Sequence, residues 1–368
     1  MRIAFDHQIF SWQEYGGVSR YAYELALELA TSCGQDVAVI SPLYVNRYLA
    51  NAPTKLKVMG VRAPKFPEAG RIYGMINSAL SWPTLRYFHP DIVHETYYSS
   101  RRIAPKSAKV VLTVYDMIHE RFNNNFSMRN STSRAKYLAV MRADHVVCIS
   151  EQTRQDLIEL FGVDPAKTSV VHLGFTLTIQ AESEKLTGTP ARPFLLYVGK
   201  RGGHKNFEGL VKAYAASEKL RNDFDLICFG GGEFKSKERN LIQQLGLSME
   251  RVHHVSGDDA VLAGYYKMAS AFVYPSLYEG FGIPPLEAMS FDCPVVCSGV
   301  SSIPEVVGNA GEMFDPYDSD SIRMAIERVV TDDALRQTLI ARGKERLKLF
   351  SWKRCAQETL DIYRRVLS

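Results

Sequence analysis

Residues 272–312, FVYPSLYEGFGIPPLEAMSFDCPVVCSGVSSIPEVVGNAGE, restrict the fold more than any other stretch of this chain. Residues 271–275 form a short apolar run in which Val273 and Tyr274 favour extension, predicting a strand. Next comes Tyr278-Glu279-Gly280-Phe281-Gly282. Two glycines flank one aromatic, so the backbone can bend sharply and bring its N–H groups to a ligand. Pro284 and Pro285 suit the first turn of a helix, where their missing N–H groups are not needed. The pattern is strand, glycine turn, helix, strand, turn, as in a parallel α/β sheet. A helix N-terminus beside a glycine turn is a ready anion site. Glu279 and Glu287 would repel a bare phosphate there, so the fitting ligand also carries hydroxyls. A nucleotide sugar does: its phosphates meet the helix start, and its ribose and sugar meet the carboxylates. Two glutamates near a helix start are also common on an ordinary surface.

A second turn of this kind follows the apolar run 193–199. Lys200-Arg201-Gly202-Gly203-His204-Lys205-Asn206 leads into a helix through Leu210 and Tyr214. Cations and glycines between a strand and a helix N-terminus suit a pyrophosphate, with Lys200 and Lys205 adding charge to backbone donors. The plainer reading is a solvated basic loop.

The spacing Glu279-x7-Glu287, with Gly-Phe-Gly-Ile-Pro between, resembles the signature of the retaining GT-B glycosyltransferases of family 4. Pro294-Val295-Val296 and Ser302-Ile303-Pro304-Glu305-Val306 are similar to that family's next strand and turn, and Lys200 and Lys205 match its basic positions. The resemblance covers nearly the whole chain and is strongest over residues 193–312. It implies an α/β GT-B fold, two Rossmann-like domains with parallel sheets facing an interdomain cleft. It implies that Glu279 meets the transferring sugar and donor phosphates and that Glu287 holds the ribose. The donor-binding set it implies is Gly16, Gly17, Lys200, Lys205, Glu279, Gly280, Phe281, Gly282 and Glu287. The expected catalytic set is Glu279, Lys205, Lys200, Asp116 and His119.

The first half opens as the second does. Residues 2–6 read as a strand, Gly16-Gly17 as a turn, and 18–30 as a helix with Tyr21, Leu25 and Leu29 on one stripe. The turn is not Gly-x-Gly-x-x-Gly and lacks the acidic ribose partner of a dehydrogenase. The resemblance places Gly16 and Gly17 near the donor phosphates; a tight strand-to-helix connection explains them equally well. Residues 110–116 are β-branched and read as a central parallel strand. Ligands gather at the carboxyl ends of such strands, where Tyr115, Asp116 and His119 fall. Relatives often carry His-Asp where this chain has Tyr115-Asp116, and either residue can instead cap a loop.

Residues 71–83 carry Ile72, Met75, Ile76, Leu80 and Trp82 with few charges. We expect a helix that packs inward, since it lacks the dense Lys/Arg face of an interfacial helix; a surface meeting a membrane or lipid acceptor is the alternative. Residues 176–192 are polar and aperiodic, marking a hinge. The expected domains are 1–178 plus the terminal helix 352–368, and 185–350. The terminal helix is expected to return to the first domain through Trp352 and Tyr363.

The 368 residues are 46% hydrophobic and 23% charged, which fits a globular enzyme of two domains. A net charge of +4 suits anionic nucleotides or an anionic lipid surface and is too weak to argue nucleic-acid binding. Met1 leads straight into a strand, so no signal peptide is expected. The six cysteines sit mostly in apolar contexts, as reduced thiols of a cytoplasmic protein do. Cys293 and Cys297 lack a second pair for zinc, and Asp318-Ser319-Asp320 reads as a helix cap, so no metal or other cofactor is expected.

The expected reaction is sugar transfer with retention from a nucleotide sugar, GDP-mannose first and a UDP-sugar second. The expected acceptor is a glycan or lipid-linked glycan in bacterial surface polysaccharide synthesis, with peripheral contact at the inner face of the plasma membrane. A GT-B epimerase or hydrolase acting on the same donor, and a non-catalytic nucleotide-sugar-binding protein, share the same site residues.

Overall fold

Every strand pairing among the described residues is parallel, which requires a crossover between successive strands and helices to cover both sheet faces. The computed structural model describes residues 1–122, 131–176 and 192–368. The chain divides into two units, Met1–Gly174 with Phe350–Ser368, and Phe175–Leu349. Most of the expected hinge, 177–191, lies outside the described residues.

The first unit holds β1 (Arg2–Phe5), β2 (Asp36–Tyr44), β3 (Lys57–Arg62), β4 (Ile92–Glu95), β5 (Lys109–Val114), β6 (His145–Cys148) and β7 (Thr168–Val170). Their order in the sheet is β3-β2-β1-β4-β5-β6-β7. All four residues of β4 are buried, and so is β5 after Lys109, as expected for central strands covered on both faces. The direction of winding reverses between β1 and β4, and open α/β sheets gather their ligands at such a switch point. Helix Trp352–Leu367 completes this unit. Trp352 and Tyr363 are buried, and a Cβ on Gly174 would lie 2.4 Å from the Trp352 ring, so only glycine admits the tryptophan.

The second unit holds β8 (Phe194–Val198), β9 (Asp225–Phe229), β10 (Val252–Val255), β11 (Ala271–Tyr274), β12 (Val295–Ser298) and β13 (Gly311–Phe314). Their order is β10-β9-β8-β11-β12-β13, with the switch point between β8 and β11. One core runs across this sheet, from Leu195, Leu226 and Val273 to Phe207, Tyr214 and Ile326 of the covering helices. The two β-strands flanking the switch point are those that precede the two turns singled out in the sequence.

One helix departs from expectation. Ala69–Phe88 buries Ala69, Tyr73, Asn77, Ser81, Leu85 and Phe88, while Ile72, Met75, Ile76, Leu80 and Trp82 are exposed. The apolar stripe that was expected to pack inward faces outward. The inward stripe combines apolar packing by Ala69, Tyr73, Leu85 and Phe88 with polar contacts. Asn77 accepts from Leu43 N at 2.8 Å and donates to Leu43 O at 2.7 Å and Ser11 Oγ at 2.8 Å. Ser81 bonds His7 Nδ1 at 3.2 Å. A hydrophobic stripe identifies a helix but does not fix which side meets the core when the core side is satisfied by hydrogen bonds.

Candidate functional site

Lys205 and Glu279 follow β8 and β11, the neighbours at the switch point of the second sheet. The turn after β8 passes through Gly199 at φ +125° and Gly203 at φ +56°, both left-handed conformations that a side chain resists. Asn206, at φ 51°, begins helix Phe207–Ala216 and accepts from Gly209 N at 3.3 Å. The amide of Leu277 donates to His204 O at 2.7 Å and so ties this turn to the one after β11. The result brings Lys205 Nζ to 2.7 Å from Glu279 Oε1. The ammonium also lies 5.5 Å from the centre of the Tyr274 ring. Burial first, and then the Glu279 charge, push the Tyr274 hydroxyl well above the usual phenol range, so it stays a neutral donor beside the carboxylate.

The three cations of the basic turn have separate fates. Lys200 is exposed, and its carbonyl accepts the Tyr197 hydroxyl at 2.6 Å. Arg201 is buried and serves the fold. It donates to Gly230 O at 2.7 Å and to the carbonyls of Gly232 and Glu233, it pairs with Glu238 at 3.4 Å, and it stacks on Phe234. It thereby holds Gly230, Gly231 and Gly232, three consecutive glycines at φ +75° to +81°. Lys205 is the cation that reaches the acid.

Glu279 is fixed through its backbone by two serines not identified in the sequence. Ser301 Oγ accepts from Glu279 N at 3.1 Å and donates to Glu279 O at 2.9 Å, and Ser302 Oγ donates to the carbonyls of Glu279 and Phe281, each at 2.9 Å. Ser302 opens the Ser302-Ile303-Pro304-Glu305 motif and Ser301 precedes it, but nothing in that stretch showed that the two support the preceding turn. Gly282 caps helix Ile283–Ser290 at φ 106°, which explains the second glycine. Pro284 and Pro285 lack N–H groups, so the nearest donors of this helix start are those of Gly282 and Ile283. Glu287 sits one turn in, and its Oε2 accepts from the buried Tyr266 hydroxyl at 3.1 Å.

In the first unit the switch point is lined by acids and by cations that pair with them. Asp6, at the end of β1, accepts from Thr96 N at 3.0 Å and Gln8 Nε2 at 2.6 Å. Glu95, the last residue of β4, is bound by Arg142 at 2.5 Å; burial still pushes its carboxyl up to about 8. Asp116 is half-buried, and its Oδ1 caps Ile118 N at 3.1 Å. His119 is exposed, and the residue that turns inward is Glu120, paired with buried Lys136 at 2.7 Å. Lys136 Nζ also donates to Asp116 O at 2.9 Å, so one ammonium fixes both the buried acid and the backbone of the candidate catalytic one. Gly16 precedes helix Gly17–Thr31, and a Cβ there would lie 2.4 Å from Gln13 Oε1; around Gly17 the space is open. A groove of about 940 Å³ runs from His7, Tyr97 and Tyr98 at the strand ends to Trp12, Ile72 and Met75.

Among the described residues no three His, Cys, Asp or Glu side chains converge as a metal would need. His253 and His254 face different acids, Asp225 at 3.5 Å and Glu233 at 3.4 Å, and Asp318 accepts from Asp320 N at 2.9 Å as a helix cap. Cys293 and Cys297 are buried free thiols.

Two doubly wound parallel sheets, one in each unit, are the fold of the GT-B glycosyltransferases. Residues 15–178 match the family described as Glycosyltransferase Family 4, and residues 179–346 match Glycosyl transferases group 1. The chain belongs to this family. It is 35% identical to the O-antigen chain mannosyltransferase B of Escherichia coli over 95% of this chain and 96% of that one. It is 30% identical to the serotype-specific mannosyltransferase WbdA of Escherichia coli over 61% of this chain and 29% of that longer protein. In fold it matches sucrose-phosphate synthase from Thermosynechococcus elongatus with a TM-score of 0.72 at 21% identity, covering 99% and 98% of the two chains. It also matches Anabaena HepE, solved with UDP and glucose, at a TM-score of 0.70 and 18% identity over 98% of each chain.

Proposed function

We propose that the protein transfers mannose from GDP-mannose, with retention and without a metal, to a glycan or lipid-linked glycan of a bacterial surface polysaccharide. The 2.7 Å pair of Lys205 and Glu279 carries the reading. When the bond from the anomeric carbon to the diphosphate oxygen breaks, charge grows on the leaving group, and cations placed to meet it lower the barrier. In this reading Lys205 meets that charge, supported by exposed Lys200 and by the N–H groups of Gly282 and Ile283. Glu279, anchored by Ser301 and Ser302, holds sugar hydroxyls and stabilises the cationic sugar. Glu287 holds the ribose, oriented by Tyr266. The acceptor oxygen forms the new bond on the face the diphosphate leaves, and its proton passes to a diphosphate oxygen.

Asp116, steadied by Lys136, and the groove beside His7 and Tyr97 are the acceptor elements of the first unit in this reading, with the acceptor drawn from the inner membrane face. The similarity to an O-antigen mannosyltransferase over nearly the full chain supports mannose as the sugar. The test supplies GDP-mannose and a panel of UDP-sugars, with and without a mannose-terminated acceptor, and reads products by mass spectrometry and the new linkage by NMR. An α-linked mannoside formed in the presence of EDTA is the expected result. Turnover of UDP-sugars alone would overturn the donor. Product without acceptor would point to a hydrolase or epimerase, and an inverted linkage would overturn retention.

A further inference from the structure

We propose, resting on the function above in which Lys205 meets the diphosphate, that the Tyr274 hydroxyl is a positioning group for Glu279. It takes up the carboxylate when a bound diphosphate draws on the charge of Lys205. Tyr274 ends β11, the strand that leads to Glu279, and is 1% exposed. Its ring is fixed on several sides. The Phe272 ring lies 5.6 Å away, centre to centre, and a Cβ on Gly282 would come to 3.7 Å from Tyr274 Cε1. The Ser298 hydroxyl donates to the Tyr274 carbonyl at 3.3 Å. The Lys205 ammonium stands 5.5 Å from the ring centre.

The phenol hydroxyl makes no hydrogen bond of ordinary geometry among the described residues. Neither does the Ser276 hydroxyl two residues on, itself in a residue 1% exposed. Buried polar groups are nearly always satisfied, and one left open beside a charged pair calls for a reason. Its neighbours supply one. Glu279 lies where it can accept from the phenol, and Ser276 where it can donate to the phenol oxygen. Ser276, Tyr274 and Glu279 thus form a short hydroxyl chain that ends on the carboxylate.

The ion pair shows when such a donor is needed. In the free protein Lys205 satisfies Glu279 at 2.7 Å, and the glutamate side chain is only 9% exposed. An ammonium has three N–H groups but a single charge. A diphosphate brings more negative charge than that ammonium balances. A sheltered carboxylate that loses part of its counter-charge is costly to keep unless another donor replaces it. Tyr274 is neutral, so it can bond Glu279 without being drawn to the diphosphate. Glu279 then stays in place for the sugar, and Lys205 need not move far.

Calorimetry with GDP and with UDP on the parent, Tyr274→Phe, Glu279→Ala and the double variant measures the coupling, with melting temperature as the control for folding. Phenylalanine keeps the ring and removes only the hydroxyl. Because that hydroxyl is unsatisfied in the free protein, Tyr274→Phe should melt no lower than the parent. It should bind the nucleoside diphosphate about tenfold or more weakly, and kcat should fall by a similar factor. In the Glu279→Ala background the same substitution should change affinity by less than about twofold. A merely structural hydroxyl would give the reverse, a lower melting temperature with binding unchanged. Tyr274 has no such role if Tyr274→Phe binds the nucleotide as the parent does, or if its effect persists undiminished without Glu279. A parent that binds neither nucleotide would instead refute the functional reading, and the role of Tyr274 with it.

Discussion

Lys205 and Glu279 stand 74 residues apart in sequence and 2.7 Å apart in space, each delivered by a strand flanking the second sheet's switch point. The pair is half sheltered: the lysine side chain is 22% exposed and the glutamate 9%. In the proposed mechanism an arriving diphosphate meets an ammonium already oriented, so little reorganisation would accompany the reaction. Lys205→Ala should therefore lower kcat by roughly 10²–10³-fold, about 3–4 kcal/mol of transition-state stabilisation, the loss typical of one preorganised donor. Lys205→Arg should retain more activity than the alanine variant. Initial rates with saturating donor and acceptor check this; an alanine variant within twofold of the parent would remove Lys205 from the mechanism.

Glu287 and Glu279 should separate by function. The Tyr266 hydroxyl holds Glu287 on the helix side of the turn, where the proposal puts the ribose. Glu287→Ala should weaken binding of the nucleoside diphosphate alone by about tenfold or more, a charged hydrogen bond being worth ~1.5–3 kcal/mol, and should raise the donor KM. Glu279→Ala should lower kcat while changing diphosphate affinity little. Titration calorimetry with GDP on both variants decides it, and the opposite pattern would exchange the two roles.

The doubly wound sheets were legible because short apolar strands alternate with helical patterns: β5 is rich in β-branched residues, and β8 and β11 run into glycine-bearing turns. Lys205 and Glu279 were legible because both lie within a few residues of such a strand end. What escaped was support from a distance. Ser301 and Ser302 hold Glu279 from 22 and 23 residues away, and Lys136 reaches Asp116 from 20. No local period encodes such contacts. His119 looked like the chemical residue of its short helix, yet Glu120 is the one buried, because Lys136 compensates its charge. Helix Ala69–Phe88 misled for a related reason: Asn77 and Ser81 satisfy its inner face with hydrogen bonds.

Lys136 and Glu120 are both nearly inaccessible, at 1% and 0% side-chain exposure, so neither tolerates losing the other. Lys136→Met should destabilise the protein by about 3–5 kcal/mol, the typical consequence of leaving a buried charge unpaired. Adding Glu120→Gln should recover much of that stability without restoring the contact to Asp116 O. Urea unfolding of the single and double variants measures the coupling, and parallel rate measurements test whether Asp116 has lost its position. A double variant no more stable than Lys136→Met alone would show that the pair does not govern this site.

His94 predicts how the fold responds to acid. It is fully enclosed, stacked on Phe5, and hydrogen-bonded through Nδ1 to Tyr363 at 2.5 Å and through Nε2 to Thr113 at 2.8 Å. Burial pushes its pKa down to about 3, and burial followed by Arg365 and Lys167 pushes that of His145 to about 4. An unfolded histidine takes up its proton near pH 6.5, so below that point the unfolded chain binds protons that the folded one refuses. The stability contributed by neutral His94 is full above about pH 6.5 and is lost progressively as pH falls towards 3, at up to ~1.4 kcal/mol per pH unit. Glu95 acts in the other direction. Its raised pKa makes the folded state bind the extra proton between about 8 and the ordinary carboxylate range, so its contribution is present at low pH and is lost as pH rises through 8. The two effects overlap between pH 6.5 and 5, and His94→Gln separates them by removing one titration while leaving Glu95. The variant should be less stable at neutral pH, having lost the Tyr363 contact, and its stability should fall less steeply with acid than the parent's. Urea unfolding at intervals between pH 7 and 5 reads both slopes, and equal slopes would mean that His94 is protonated in the folded protein.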